Sequence, residues 1–214
     1  MKPVDLMIYD LDGTLADTGA DLVASINHTL TAMRLQPRAY EEIIGFVGDG
    51  IRRLIEKTLG ETYASRVDEA LTIFSAHYEN HLLDKTVLYS HVEDVLQHFH
   101  HKKKVILTNK RYYLAMDIVR GLKIEKFFLE IVGADSTPYL KPDGRVVEYL
   151  LSKYDADRRK TVMIGDGVND IAVAKNTGIL SCTYLNGLGN RGALLKMGAD
   201  FYCEELIELK SIFS

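Results

Sequence analysis

The stretch from Val4 to Leu15 constrains the chain most: an apolar run, broken only at Asp5, that ends in Asp10-Leu11-Asp12-Gly13-Thr14. Its length and composition predict a buried strand, so Asp10 and Asp12 stand where a strand gives way to a turn. In open α/β sheets, ligands bind in the crevice at the carboxyl ends of the strands. Two acids at that edge are therefore candidates for chemistry. Side chains alternate along a strand, so the two carboxylates diverge unless Gly13 re-aims the second. One is then free to attack or to hold a metal while the other moves a proton. Their mutual repulsion keeps one of them protonated near neutral pH unless a cation intervenes.

Beyond Asp17 the pattern turns helical. Leu22, Val23, Ile26, Leu30 and Met33 have the spacing of one helix, with Asp17 or Thr18 as its N-cap and Asp21 completing a start like a capping box. Gln36-Pro37 ends it. Tyr40 to Ile44, Ile51 to Leu59, and the series Val67, Leu71, Phe74, Tyr78 and Leu82 predict further helices, and no strand is expected before Lys85. Beyond Val92 the pattern alternates. A helix through Phe99 leads to a strand over Lys104 to Leu107, then a helix with Leu114, Ile118 and Val119 that stops at Gly121. A strand near Glu130 to Gly133, a helix near Val146 to Tyr154, a strand over Thr161 to Gly165, a helix over Asn169 to Asn176 and a strand over Ile179 to Tyr184 complete the run. Strands alternating with helices imply parallel βαβ units. The expected fold class is α/β, a Rossmann-like parallel sheet core with an inserted helical cap domain. Residues 1–16 and 86–214 would form the core and residues 17–85 the cap.

Bulk properties narrow the partners. With 214 residues, 47% of them hydrophobic and 26% charged, the chain can bury a core of its own. A formal net charge of -4 and the lack of a long basic face argue against nucleic acid. No apolar run approaches the roughly 20 residues of a membrane helix, and no leader is seen, so the expectation is a cytoplasmic protein with a small-molecule partner. Cys182 and Cys203, far apart and outside any CxxC pair, read as reduced, buried thiols. His98, His100 and His101 with Lys102 to Lys104 read as a solvated helix end whose dipole favours cations. Nothing in the pattern specifies an oligomeric state.

Three further polar clusters follow or neighbour predicted strands, which would bring them to the same sheet edge as Asp10. Thr108-Asn109 offers a hydroxyl, a carboxamide and exposed amides to phosphate oxygens, although a helix N-cap would explain the pair equally well. Lys141-Pro142 places a cation in a stiffened loop. Gly165-Asp166-Gly167-Val168-Asn169-Asp170 puts two acids four residues apart where a helix begins. Asp166 could ligate a cation, and Asp170 could sit behind it or orient Lys141. Asp10, Asp12 and Asp166 together would surround one hard cation, and oxygen ligands with open positions suit magnesium, which pairs naturally with phosphate.

These four motifs, in this order, resemble those of the haloacid dehalogenase-like hydrolase superfamily. Asp10 to Thr18, the Val47-Gly48-Asp49-Gly50 loop and Thr108-Asn109-Lys110 are most similar to its phosphoglycolate phosphatase-like members. The resemblance implies a magnesium-dependent phosphomonoester hydrolase acting on a small phosphorylated metabolite. Asp10 would be the nucleophile and Asp12 the general acid and base. Magnesium would be held by Asp10, the Asp12 backbone carbonyl and Asp166. Thr108, Asn109 and Lys141 would hold the phosphoryl oxygens. It also implies that the helical insert closes over the site, with Gly48-Asp49-Gly50 as a hinge or substrate contact and Arg52 or Arg53 in reach of a substrate carboxylate. The fourth motif and Lys141-Pro142-Asp143-Gly144 depart from the forms usual in those members. Two alternatives remain in view: a sugar phosphomutase of β-phosphoglucomutase type, and a non-catalytic phospho-acceptor module.

Overall fold

In the computed structural model, which describes residues 1–214, β1 (Leu6–Tyr9) lies inside a six-stranded sheet. Leu6, Met7 and Ile8 are fully buried, as a strand covered on both faces requires. The chain leaves β1 through the Asp10 turn, makes the two-residue β2 (Ala16–Asp17), and enters α1 (Gly19–Ala32), α2 (Tyr40–Ile44), α3 (Ile51–Leu59) and α4 (Val67–His81). It returns through β3 (Val87–Leu88), which pairs antiparallel with β2 as a short ribbon at the foot of the helical block.

The remainder alternates: α5 (Val92–His98), β4 (Lys103–Leu107), α6 (Tyr112–Gly121), β5 (Glu130–Val132), α7 (Arg145–Tyr154), β6 (Thr161–Gly165), α8 (Val168–Thr177), β7 (Leu180–Tyr184), α9 (Arg191–Met197), β8 (Phe201–Cys203) and α10 (Leu209–Ile212). The sheet order is β5-β4-β1-β6-β7-β8, and every neighbouring pair is parallel. This is a Rossmann-like α/β architecture. Tyr9 pairs with Ile106 on one side and Ile164 on the other, so the ends of β1, β4 and β6 are level. Asp10, Thr108 and Asp166 consequently emerge at one edge, where the strand order switches direction.

The two sheet faces are packed by alternate residues of each strand. Leu6, Ile8, Val105, Leu107 and Met163 pack on one face against Val146, Val147 and Leu150 of α7 and Val173 and Ala174 of α8. Met7, Tyr9, Ile106, Val162 and Ile164 face the other way, in a cluster that runs without a break into Leu22, Ile26, Leu54, Phe74 and Tyr78 of the helical block. Cys182 and Cys203 are buried free thiols. No helix is long and apolar enough to cross a membrane.

Two local expectations fail. Asp21 does not close a capping box on α1. Its buried carboxylate accepts hydrogen bonds from Lys85 N, Thr86 N and Thr86 Oγ1, tying α1 to the segment that leads back to the sheet. Lys104 is not part of a solvated helix end: it is buried, and its ammonium donates to the Phe99 carbonyl just past α5.

Candidate active site

The turn after β1 begins with a continued ladder bond, Asp10 N donating to Ile164 O at 2.8 Å. The Asp10 Oδ1 atom accepts from Leu11 N at 2.7 Å and lies 2.9 Å from Lys141 Nζ. That buried ammonium also donates to Asp170 Oδ1 at 2.6 Å. The second oxygen of Asp170 accepts from Gly167 N, so one carboxylate both caps α8 and steers the lysine. Asn109 fixes the lysine's loop from the other side. Its Oδ1 accepts from Lys141 N, while its Nδ2 donates to Lys141 O and to Gly48 O, each at 3.0 Å. The Asn109 carboxamide is therefore occupied in holding the lysine's loop, and its backbone amide, which donates to no protein acceptor, is the group left for a ligand. Thr108 is buried, and its hydroxyl oxygen accepts from Lys110 N.

Asp166 is held by backbone and hydroxyl groups alone. Oδ1 accepts from Thr14 Oγ1 at 2.8 Å, and Oδ2 accepts from Leu188 N at 2.8 Å and Gly189 N at 3.1 Å. The chain can approach so closely because glycines surround it. A Cβ at Gly13, whose φ is +85°, or at Gly187 would overlap Asp166 Oδ2, and one at Gly189 would overlap the Asp166 carbonyl. The Gly187-Leu188-Gly189 loop was missed by sequence reasoning. Its only sequence signal is a pair of glycines just after β7.

Carboxylate oxygens of Asp10, Asp166 and Asp170 lie within 4.8 Å of one another. Burial pushes the Asp10 carboxyl well above the usual carboxylate range, Lys141 pulls it back down, and Asp170 and Asp166 push it up again. Burial and then Asp170 raise Asp166 to about 7. For Lys141, burial disfavours the charge, but the carboxylates of Asp10 and Asp170 more than offset that and hold it at about 12. Three acids thus gather around one ammonium that pairs with only two of them, Asp10 and Asp170, and the excess negative charge is what a divalent cation would neutralise. An all-oxygen donor set with one protein-held cation beside it fits magnesium.

The expected trio of Asp10, Asp12 and Asp166 is not the set of carboxylates that converges: Asp170 takes the third place. The Asp12 carboxylate turns the other way, as strand alternation allows. Its Oδ1 accepts from Thr18 Oγ1 at 2.6 Å and from Lys110 Nζ at 2.7 Å. Lys110 Nζ also donates to Tyr78 OH of α4 at 2.8 Å, and only 7% of the lysine side chain is exposed. Burial works against the Lys110 charge, but Asp12 and Tyr78 more than compensate and raise its pKa. The motif pattern included Lys110 without giving it a role, and Tyr78 stood only in a helical series; both are site residues.

Asp10, Asp12, Thr108, Asn109, Lys110 and Arg111 share a cavity with Leu22, Val47, Gly48, Gly50, Ile51, Leu54, Phe74, Tyr78 and Leu114. Arg52 and Arg53 are not in it. They face solvent and pair with Asp68 and Glu56. Asp49 accepts from Asn169 Nδ2 and Lys57 Nζ, so it braces the Gly48 loop against the start of α8.

The chain matches the model of a family described as haloacid dehalogenase-like hydrolase over residues 7–183. It is 32% identical to a phosphoglycolate phosphatase of Agrobacterium fabrum, over 82% of this chain and 78% of that protein. A phosphoglycolate phosphatase of Colwellia psychrerythraea is also 32% identical, over 98% of this chain and 99% of its own length. Among solved structures, a predicted phosphoglycolate phosphatase from Haemophilus somnus has a TM-score of 0.92 at 23% identity, covering 98% of this chain and 97% of that one. A haloacid dehalogenase-like family protein of Streptococcus pneumoniae has a TM-score of 0.90 at 23% identity, covering 99% of both chains.

Proposed function

The chain belongs to the haloacid dehalogenase-like hydrolases, and from that premise we propose that it is a magnesium-dependent phosphatase of small phosphomonoesters working through an aspartyl-phosphate. One observation carries the reading. Asp10 and Asp12 line the same cavity, and in each the Oδ1 atom is held by protein donors while Oδ2 accepts no protein hydrogen bond. Two carboxylates, each anchored by one oxygen and open at the other, suit a nucleophile beside an acid–base group.

In this reading Asp10 Oδ2 attacks phosphorus, the ester P–O bond breaks, and the leaving oxygen takes its proton from Asp12 Oδ2. Asp12 then removes a proton from the water that hydrolyses the acyl phosphate, returning Asp10 and releasing phosphate. Lys141, Thr108 and the backbone amide of Asn109 supply positive charge and donors to the phosphoryl oxygens. Asp10 and Asp166, with the Asp12 carbonyl, would hold magnesium, and Asp170 keeps Lys141 aimed. When bound, the ion screens the repulsion between an anionic nucleophile and an anionic ester. Residues 17–85 act as a cap whose Gly48 loop and Tyr78 meet Asn109 and Lys110 over the site. The names of the relatives make phosphoglycolate the substrate to test first.

The test is phosphate release from a panel of phosphomonoesters with magnesium and with EDTA. Turnover that needs magnesium and vanishes in Asp10→Asn is expected. Undiminished release by Asp10→Asn would remove the assigned nucleophile. Uptake of a single phosphate without turnover would favour the phospho-acceptor alternative.

A further inference from the structure

The side chains lining the cavity that carry charge are Asp10, Asp12, Lys110 and Arg111. The first three are paired inside the protein, Asp10 with Lys141 and Asp12 with Lys110. Arg111 makes no ion pair. It follows Lys110 directly, at the N-cap position of α6, and its neighbour Tyr113 gives its hydroxyl proton to Glu79. A planar fork of N–H donors at the cavity is thus left without an anion. Arg52 and Arg53, expected in reach of a substrate carboxylate, are engaged in surface pairs outside the cavity.

The start of α3 lines the same space. Gly50, with φ of +84°, and Ile51 have no side-chain cap, and their amides donate to no protein acceptor. A Cβ on Gly50 would lie 3.3 Å from the Asn109 carbonyl oxygen, so this helix end packs beside the segment that bears Arg111. Its partial positive charge adds to the field of the guanidinium without defining a site by itself. The phosphoryl group has donors of its own in Lys141, Thr108 and the Asn109 amide, which leaves Arg111 for the other half of the ester. We propose that Arg111 sets the enzyme's specificity by holding a carboxylate on the leaving alcohol, so that the preferred substrates are phosphate esters of small hydroxy acids. This rests on the phosphomonoesterase reading of the site.

The probe is a pair of esters of similar size that differ in charge: phosphoglycolate and the phosphate ester of glycolamide. With magnesium present, the wild type should prefer the carboxylate. Arg111→Met should shrink the carboxylate-to-carboxamide ratio of kcat/KM by roughly 10- to 150-fold, the range for a hydrogen bond to a charged group. Arg111→Lys, which keeps the charge without the planar fork, should recover part of the loss. Both esters meet the same preparation, so the ratio does not depend on how much of a variant is folded, and their intrinsic reactivities cancel between proteins. An equal ratio in the wild type and Arg111→Met, or a wild type that hydrolyses the carboxamide as readily as the carboxylate, overturns the assignment while leaving the phosphatase reading intact. Failure to hydrolyse any phosphomonoester overturns both.

Discussion

Replacing Asp166 by asparagine should change how stability depends on pH, and the size of the change is set by the site. Burial and the neighbouring Asp170 hold the Asp166 carboxyl at about 7 against an ordinary value of 3.8. A folded-state pKa above the unfolded one means that the native protein binds the proton more tightly. The resulting stabilisation is complete below about pH 4, declines as pH rises, and is gone above about pH 7. Its full size is about 4 kcal/mol, of which about 2.5 kcal/mol falls between pH 5 and 8. For a chain of this length that corresponds to roughly 5–10 °C in Tm.

Asp166→Asn carries no such proton. Its amide can still accept from Leu188 N and Gly189 N through oxygen while donating to Thr14 Oγ1, so the cradle keeps its hydrogen bonds. In EDTA, the wild-type Tm should fall relative to that of Asp166→Asn by that amount between pH 5 and 8. Asp10 titrates in both proteins but loses the upward push of Asp166 in the variant, so the comparison reads Asp166 together with its coupling to Asp10. Magnesium competes with the proton, so its stabilisation of the wild type should be small at pH 5, large at pH 8, and lost in the variant. Differential scanning fluorimetry at four pH values, with and without the ion, reads all of this. A Tm gap between the two proteins that stays constant from pH 5 to 8 would refute the charge balance assigned to the acid cluster.

Other perturbations have equally definite outcomes. Lys110→Met should lower kcat by on the order of 100-fold, as loss of an oriented acid–base group does, with KM changed less and partial recovery in Lys110→Arg. Asp21→Ala should cost about 3 kcal/mol or more, read from the urea midpoint, because it strands three donors on Lys85 and Thr86. Arg52→Ala and Arg53→Ala should leave kcat/KM within about twofold, since both guanidiniums sit in exposed surface pairs outside the cavity.

The sheet was legible in the sequence where local pattern dictates structure. Runs such as Leu6–Tyr9, Lys103–Leu107 and Thr161–Gly165 are buried on both faces and bounded by turns, so composition and length sufficed. The edge strand Phe201–Cys203, the ribbon of Ala16–Asp17 with Val87–Leu88, and helix α9 were not anticipated. The strands among these, two or three residues long, have no periodicity to read, and they exist because a neighbour pairs with them. Asp21 shows the same limit for a side chain: three residues into a helix it has the spacing of a cap, yet its partners lie 64 and 65 positions away.

Thr108, Asn109 and Lys110 carry that limit into the site itself. The strand before them fixes their address, but three consecutive side chains serve three ends. Thr108 takes the Lys110 amide, Asn109 grips the lysine loop and the Gly48 carbonyl, and Lys110 spans Asp12 and Tyr78. Two of the three therefore touch both the acids' support and the helical block. Any displacement of that block breaks the Asn109–Gly48 and Lys110–Tyr78 bonds, which are among the contacts that hold Lys141 and Asp12 in place. In the proposed mechanism the same motion that opens the cavity loosens the groups assigned to the chemistry, so covering the substrate and ordering Asp10 and Asp12 become one event rather than two.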